Sequence, residues 1–157
     1  MAGISLSAVS VTAPESFRTV ENLLGGRGVL RAKSHSTLDW IGVIRRGIPA
    51  GAVEALAKTI KLTHAELARA LGIPERTLAR RKREGILSSD ESAKLLRLAR
   101  TVWRANEVFA DAAAALHWLK APNAALSGAT PLSILDTEIG AESVLDTLGR
   151  IEHGVYG

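Results

Sequence analysis

The reading of this chain turns on residues 63–83: Thr63-His64-Ala65-Glu66-Leu67-Ala68-Arg69-Ala70-Leu71-Gly72-Ile73-Pro74-Glu75-Arg76-Thr77-Leu78-Ala79-Arg80-Arg81-Lys82-Arg83. Thr63 followed three residues later by Glu66 is a capping box, in which the hydroxyl accepts the N3 amide and the carboxylate accepts the cap amide. Leu67, Ala68 and Leu71 supply one apolar face. Gly72 ends the helix, because glycine enters the left-handed region without the steric cost of a Cβ. Ile73 is expected inside the turn, and Pro74 opens a second helix that runs to about Arg83. A capped helix, a glycine turn and a second helix make a helix-turn-helix.

The flanks read as helix as well. Phe17 to Leu24 is a short helix with Val20, Leu23 and Leu24 on one face, stopped by Gly25-Gly26. Leu38 to Arg46 forms another, holding Leu38 and Ile41 with Val43 and Ile44, and Gly47 ends it. Pro49 suits a first helical turn, and Val53, Leu56, Ala57 and Ile60 follow the i, i+3, i+4, i+7 pattern. Beyond the motif, Ser88 to Glu91 is a second capping box, which starts a long helix to about Phe109. Asp111 caps the next one, and Pro122 stops it. Thr130-Pro131 begins a short helix through Leu135. A last helix from about Ala141 buries Val144, Leu148 and Ile151. No segment alternates as a strand does, so the fold class is all-α: a helical bundle.

Aromatic residues make up only 4% of the 157 residues, so the core must be Leu, Ile, Val and Ala, a mix that suits helix-on-helix packing. Cysteine is absent, which excludes disulfides, thiolate metal sites and a Cys nucleophile, and fits a reducing cytoplasm. No apolar run reaches the ~20 residues a bilayer span needs. Residues 1–14 lack Lys and Arg and are interrupted by Ser5, Ser7, Ser10 and Thr12, so they read as a disordered arm rather than a secretion signal.

The net charge is +4, unevenly spread. From Pro122 onward Asp136, Glu138, Glu142, Asp146 and Glu152 face Arg150 alone, a balance of −4, which leaves +8 for the rest. A basic front and an acidic back suggest two partners of opposite character; the same counts fit an unpatterned solvated surface.

On the second helix of the motif, Arg76, Arg80 and Arg83 recur at i, i+4, i+7 beside Thr77, while Leu78 points away. Arginine pairs bidentately with guanine, and threonine reaches a base edge or a thymine methyl. Arg81, Lys82 and Arg83 suit phosphate oxygens, and the helix start at Thr63 offers amides to a phosphate. The competing reading is a three-helix core with a solvated basic face.

Enzyme chemistry finds no support. His35, His64, His117 and His153 form no zinc spacing, Gly25-Gly26-Arg27-Gly28 lacks the Lys-Ser/Thr of a phosphate loop, and there is no Gly-x-Ser-x-Gly elbow. No cofactor is expected. Trp40, Trp103 and Trp118 are candidate interface anchors, Trp103 fitting a core position better and Trp118 fitting core and interface equally. The ending Glu152-His153-Gly154-Val155-Tyr156-Gly157 should be extended. Its acidic groups and Tyr156 suit a partner's arginines or, equally, a frayed terminus.

With these residues in view, the chain resembles the Xre/MbcA/ParS antitoxins. Thr63 to Arg83 is similar to the Xre-type helix-turn-helix. The stretch after Ser88 is similar to their toxin-binding domain: Asp90-Glu91-Ser92, Leu95 to Arg100, Val108-Phe109, Trp118-Leu119, Pro122-Asn123, Leu126 to Gly128, Thr130 to Leu132, Leu135 to Gly140, Leu148 to Glu152 and Gly154 to Tyr156. Leu24 to Gly26 and Arg45 to Pro49 extend the likeness toward the N-terminus.

The resemblance implies an arm over 1–20, a helix-turn-helix domain over 21–87 and a toxin-binding domain over 88–157. It implies a homodimer that covers a RES-domain, NAD-degrading toxin, blocks its active site with the C-terminal segment, and represses its own operon. Toxin contact then falls to Trp118, Arg150, Glu152, Gly154, Val155, Tyr156 and Gly157. Two other readings remain: a stand-alone transcriptional regulator whose C-terminal domain serves dimerisation, and an adaptor that binds protein but no DNA.

Overall fold

The computed structural model describes residues 18–31 and 36–154, and its regular structure is helical. In chain order these are α1 (18–23), α2 (Arg27–Leu30), α3 (Thr37–Arg46), α4 (Gly51–Thr59), α5 (His64–Leu71), α6 (Glu75–Glu84), α7 (Ser89–Phe109) and α8 (Ala112–Lys120). Two 3₁₀ turns (Ala124–Leu126 and Pro131–Ile134) and α9 (Glu138–Glu152) follow. Among the described residues the β structure is an isolated antiparallel bridge between Pro49 and Ile86. The all-α expectation holds. The expected arm lies outside the described residues up to residue 17, whereas residues 18–20 are already helical and Val20 is buried.

The local signals act where they were read. Thr63 and Ser88 close reciprocal boxes with Glu66 and Glu91, and Asp111 accepts from the Ala113 amide. Gly72 adopts φ 67°, ψ 33°. The Ile73 amide then bonds the Ala68 carbonyl at 3.0 Å and the Gly72 amide bonds that of Arg69 at 3.1 Å, the two bonds of a Schellman end. Gly72 is required twice, since a Cβ there would stand 3.1 Å from the Cβ of Asp136.

Four boundaries or faces differ from expectation. Pro49 lies outside the helix, in the bridge with Ile86, and α4 begins at Gly51. Pro74 is the N-cap of α6 rather than its first residue; its ψ of 139° is extended. In α3 the sequence marks Leu38 and Ile41 with Val43 and Ile44 as the apolar set; Val43 is buried, but Leu38 is 73% exposed and Ile41 41%, and the buried partner of Val43 is Trp40. A ten-residue helix carries too few turns for apolar spacing alone to say which side meets the core. The last helix starts at Glu138, not Ala141, because the Thr137 hydroxyl accepts from the Gly140 amide and caps it.

One continuous hydrophobic cluster runs from Val20 to Leu148 and crosses from the helix-turn-helix into the C-terminal helices. Its spine is α7, 21 residues and about 31 Å long at 1.5 Å per residue, against which α3, α5, α8 and α9 pack. Leu95, Leu98 and Ala99 of α7 are almost fully buried; each leucine contributes about 1.5–3 kcal/mol by leaving water. The segments before α4 and after α6 are stitched together by Leu87 N to Ile48 O (2.9 Å) and Ala50 N to Gly85 O (3.0 Å). Ser92 then ties them to α7: its buried hydroxyl accepts from the Ile48 amide at 2.8 Å and donates to Ser88 O at 2.7 Å.

Within α9, Gly140 lies against the backbone carbonyl of Ile134, where a Cβ would collide, whereas Gly149 faces open space. Gly140→Ala is expected to cost about 1–3 kcal/mol through overpacking. Gly149→Ala should be neutral or stabilise by up to about 1 kcal/mol through helix propensity. Urea denaturation of the two variants distinguishes these outcomes.

Candidate functional site

The helix α6 is held from below by Leu78, which is buried, and from both sides by ion pairs. Arg76, Arg80 and Arg83 are exposed and Thr77 is half-buried; Arg80 keeps only a loose 3.6 Å contact with Glu84 within its own helix. Arg81 and Lys82 have other engagements. The Arg81 Nε donates to Glu91 Oε1 at 2.8 Å and its Nη1 to Glu84 Oε2 at 2.9 Å. Lys82 Nζ lies 3.3 Å from Glu54 Oε1, and the same carboxylate reaches His64 Nε2 at 3.0 Å. These contacts join α6 to α7 on one side and to α4 and α5 on the other. Thr63 has its hydroxyl committed to the Glu66 amide.

Two carboxylates carry this arrangement. Burial raises the Glu91 carboxyl, but the Ser88 amide, the Arg81 guanidinium and the Ser88 hydroxyl outweigh it and hold Glu91 below the usual carboxylate range. Burial likewise raises Glu54, and His64 and Lys82 together pull it below that range. Glu91 was legible as a capping residue; its second bond to Arg81 was not, because residues ten apart share no local pattern.

At the opposite end, Arg104 of α7 forms a bidentate pair with Glu152 of α9 (2.9 and 2.7 Å) and also reaches Glu107 at 2.9 Å. Arg104 holds the Glu152 carboxyl below its ordinary value. Glu152 therefore anchors the end of α9, immediately before His153 and Gly154, which are exposed. Nothing in the sequence marked Arg104, which lies 48 positions from its partner. Arg150 is exposed, and Trp118 is half-buried with its ring 5.8 Å from that of Phe109. Trp40 is buried at 2% exposure and is a core residue rather than an interface anchor, while Trp103 is half-buried against the core. Val155, Tyr156 and Gly157 lie outside the described residues. Among the described residues no group of three His, Asp or Glu is placed to hold a metal ion, and no helix is long and apolar enough to cross a membrane.

Residues 39–100 match the antitoxin Xre-like helix-turn-helix domain, and residues 104–154 match the antitoxin Xre/MbcA/ParS C-terminal toxin-binding domain. An Antitoxin Xre of Yersinia enterocolitica is 35% identical over 115 residues, 72% of this chain and 78% of that protein. The chain belongs to the Xre antitoxin family. A second Antitoxin Xre, from Photorhabdus laumondii, is 34% identical over the same shares of each chain. A Sphingobium protein named Prs ADP-ribosylating antitoxin is 25% identical over 131 residues, 77% of this chain and 82% of its own. In this Xre-family chain the two matched domains meet along α7: its first three turns belong to the helix-turn-helix match, and its last six residues, from Arg104 to Phe109, open the toxin-binding match.

The lowered carboxyls set a pH dependence. A carboxylate stabilised in the fold contributes fully above its ordinary value of 4.5 and loses that contribution as pH falls through its lower folded value. Stability should therefore be level near neutrality and fall below about pH 4.5. Glu91→Gln should lower stability at pH 7 and flatten this acid limb, as read from urea midpoints across pH; an unchanged limb would remove Glu91 from the account.

Proposed function

We propose that the chain is the antitoxin of a two-gene pair: it neutralises a RES-domain toxin that degrades NAD, by covering the toxin and placing its C-terminal segment in the active site, and it represses its own operon through α6. The observation that carries this reading is the presence, around one spine, of an exposed arginine face on α6 at the helix-turn-helix end and a fixed helix terminus at the toxin-binding end. The name of the Sphingobium relative speaks of ADP-ribosylation, a chemistry that uses NAD, and so supports the choice of toxin class.

In this reading Arg76, Thr77, Arg80 and Arg83 meet the major groove, with Arg80 central. Arg81 and Lys82 set the pitch of α6 through Glu91 and Glu54 and lie beside the phosphates, and the first turn of α5, after Thr63, meets the backbone. The Arg104–Glu152 pair fixes where the segment after residue 152 departs, so that Gly154 to Gly157 reach the toxin from a rigid base. Trp118 and Arg150 border the same contact. We place the DNA-binding part before residue 88 and the toxin-binding part after it; the two matched domains divide later, between residues 100 and 104 within α7. The protein acts by binding, as a cytoplasmic homodimer within a larger complex, and has no catalytic role of its own.

Arg80→Ala should weaken binding to the DNA upstream of the operon and relax preference at one base pair by about 1–3 kcal/mol; an unchanged mobility shift with wild-type and altered operators counts against the groove assignment. Deleting Val155 to Gly157 should leave the complex with the toxin detectable but restore NAD loss in cells that express both proteins. Full neutralisation by the shortened chain would sink the active-site role of the tail.

A further inference from the structure

One face of α9 is exposed among the described residues. Its inner face, Gly140, Ala141, Val144, Thr147 and Leu148, packs into the core. Outside stands Ile139, 77% exposed, the most exposed large apolar side chain among the described residues, and Leu145 at 40%. Glu138, Glu142 and Asp146 recur beside them at i, i+4, i+8 and are all exposed. Among the described residues these three carboxylates have no ion-pair partner, Arg150 included. Glu152 on the same helix, by contrast, is held by Arg104. Like charges one turn apart disfavour an isolated helix, and exposed Ile139 gains nothing from water.

We propose that this face of α9 is a docking surface for a basic face of the toxin, with Ile139 and Leu145 seated in an apolar recess between the toxin's cations. This rests on the toxin-binding reading above and goes beyond the tail, because it names a second contact and its chemistry. Three observations select the occupant. The face lies within the residues that match the toxin-binding domain. DNA is excluded by sign. A second copy, paired through a two-fold axis, would set the acidic stripe against itself. The contact also borders the DNA-reading end, since Asp136, just before α9, abuts Gly72 of the helix-turn-helix turn.

The test is co-expression with the product of the neighbouring gene, purification, and affinity measurement against salt for three chains: wild type, Glu142→Lys/Asp146→Lys, and Ile139→Ala. The double variant avoids the first turn of α9, and its helical signal and operator binding should match wild type. It is expected to bind the toxin at least about tenfold more weakly at low salt, mainly through slower association, and to lose the salt dependence that the wild type shows. Ile139→Ala should speed dissociation. Equal affinity for the double variant and wild type overturns the docking surface while leaving the toxin-binding reading intact. A change in the oligomeric state of the free chain with unchanged toxin affinity overturns it in favour of a second copy. A wild-type chain that forms no complex overturns the function proposed above, and this surface with it.

Discussion

One carboxylate oxygen decides how α6 is carried. Oε1 of Glu91 accepts from the Ser88 amide and from the Arg81 guanidinium, both at 2.8 Å. The first bond starts α7; the second fastens α6 to that start. The outer face of α6 is loaded with like charge, and a free helix with Arg76, Arg80 and Arg83 on one side would have little reason to keep a fixed angle. Because Arg81 is held inward, the repulsion among the remaining arginines is met by a fixed support instead of a rotation. Glu54 supplies the matching anchor on the other flank through Lys82 and His64.

The same spine organises the far end. The helix that begins at the Glu91 box continues without a break to Arg104, whose bidentate pair with Glu152 fixes the terminus of α9. The helix-turn-helix and toxin-binding parts are thus not two bodies on a linker. They share a helix and a hydrophobic cluster, and they touch again where Asp136 fills the space above Gly72. A glycine chosen for its left-handed backbone also makes room for the neighbouring unit, and the geometry of the turn is thereby coupled to the approach to α9.

Charge is sorted along this frame. The cations of α6 that need no internal partner point outward, and so do the acids of α9. Both faces gather like charge that the described residues do not fully neutralise. Placed at separate ends of one core, neither surface satisfies the other.

Much of this was written locally. Thr63-x-x-Glu66, Ser88-x-x-Glu91, Asp111 and Gly72 specify helix ends by bonds within a few residues of each other, so the helix-turn-helix, the long helix and the all-α class were legible in the sequence, as was the one-sided spacing of Arg76, Arg80 and Arg83. The tertiary structure decided what depends on distant pairs: that Trp40 rather than Leu38 faces the core from α3, that Arg81 turns to Glu91, and that Glu152 is held by Arg104. Periodicity says that a face exists but not what meets it, and an ion pair between residues 48 apart leaves no trace until packing brings the two helices side by side.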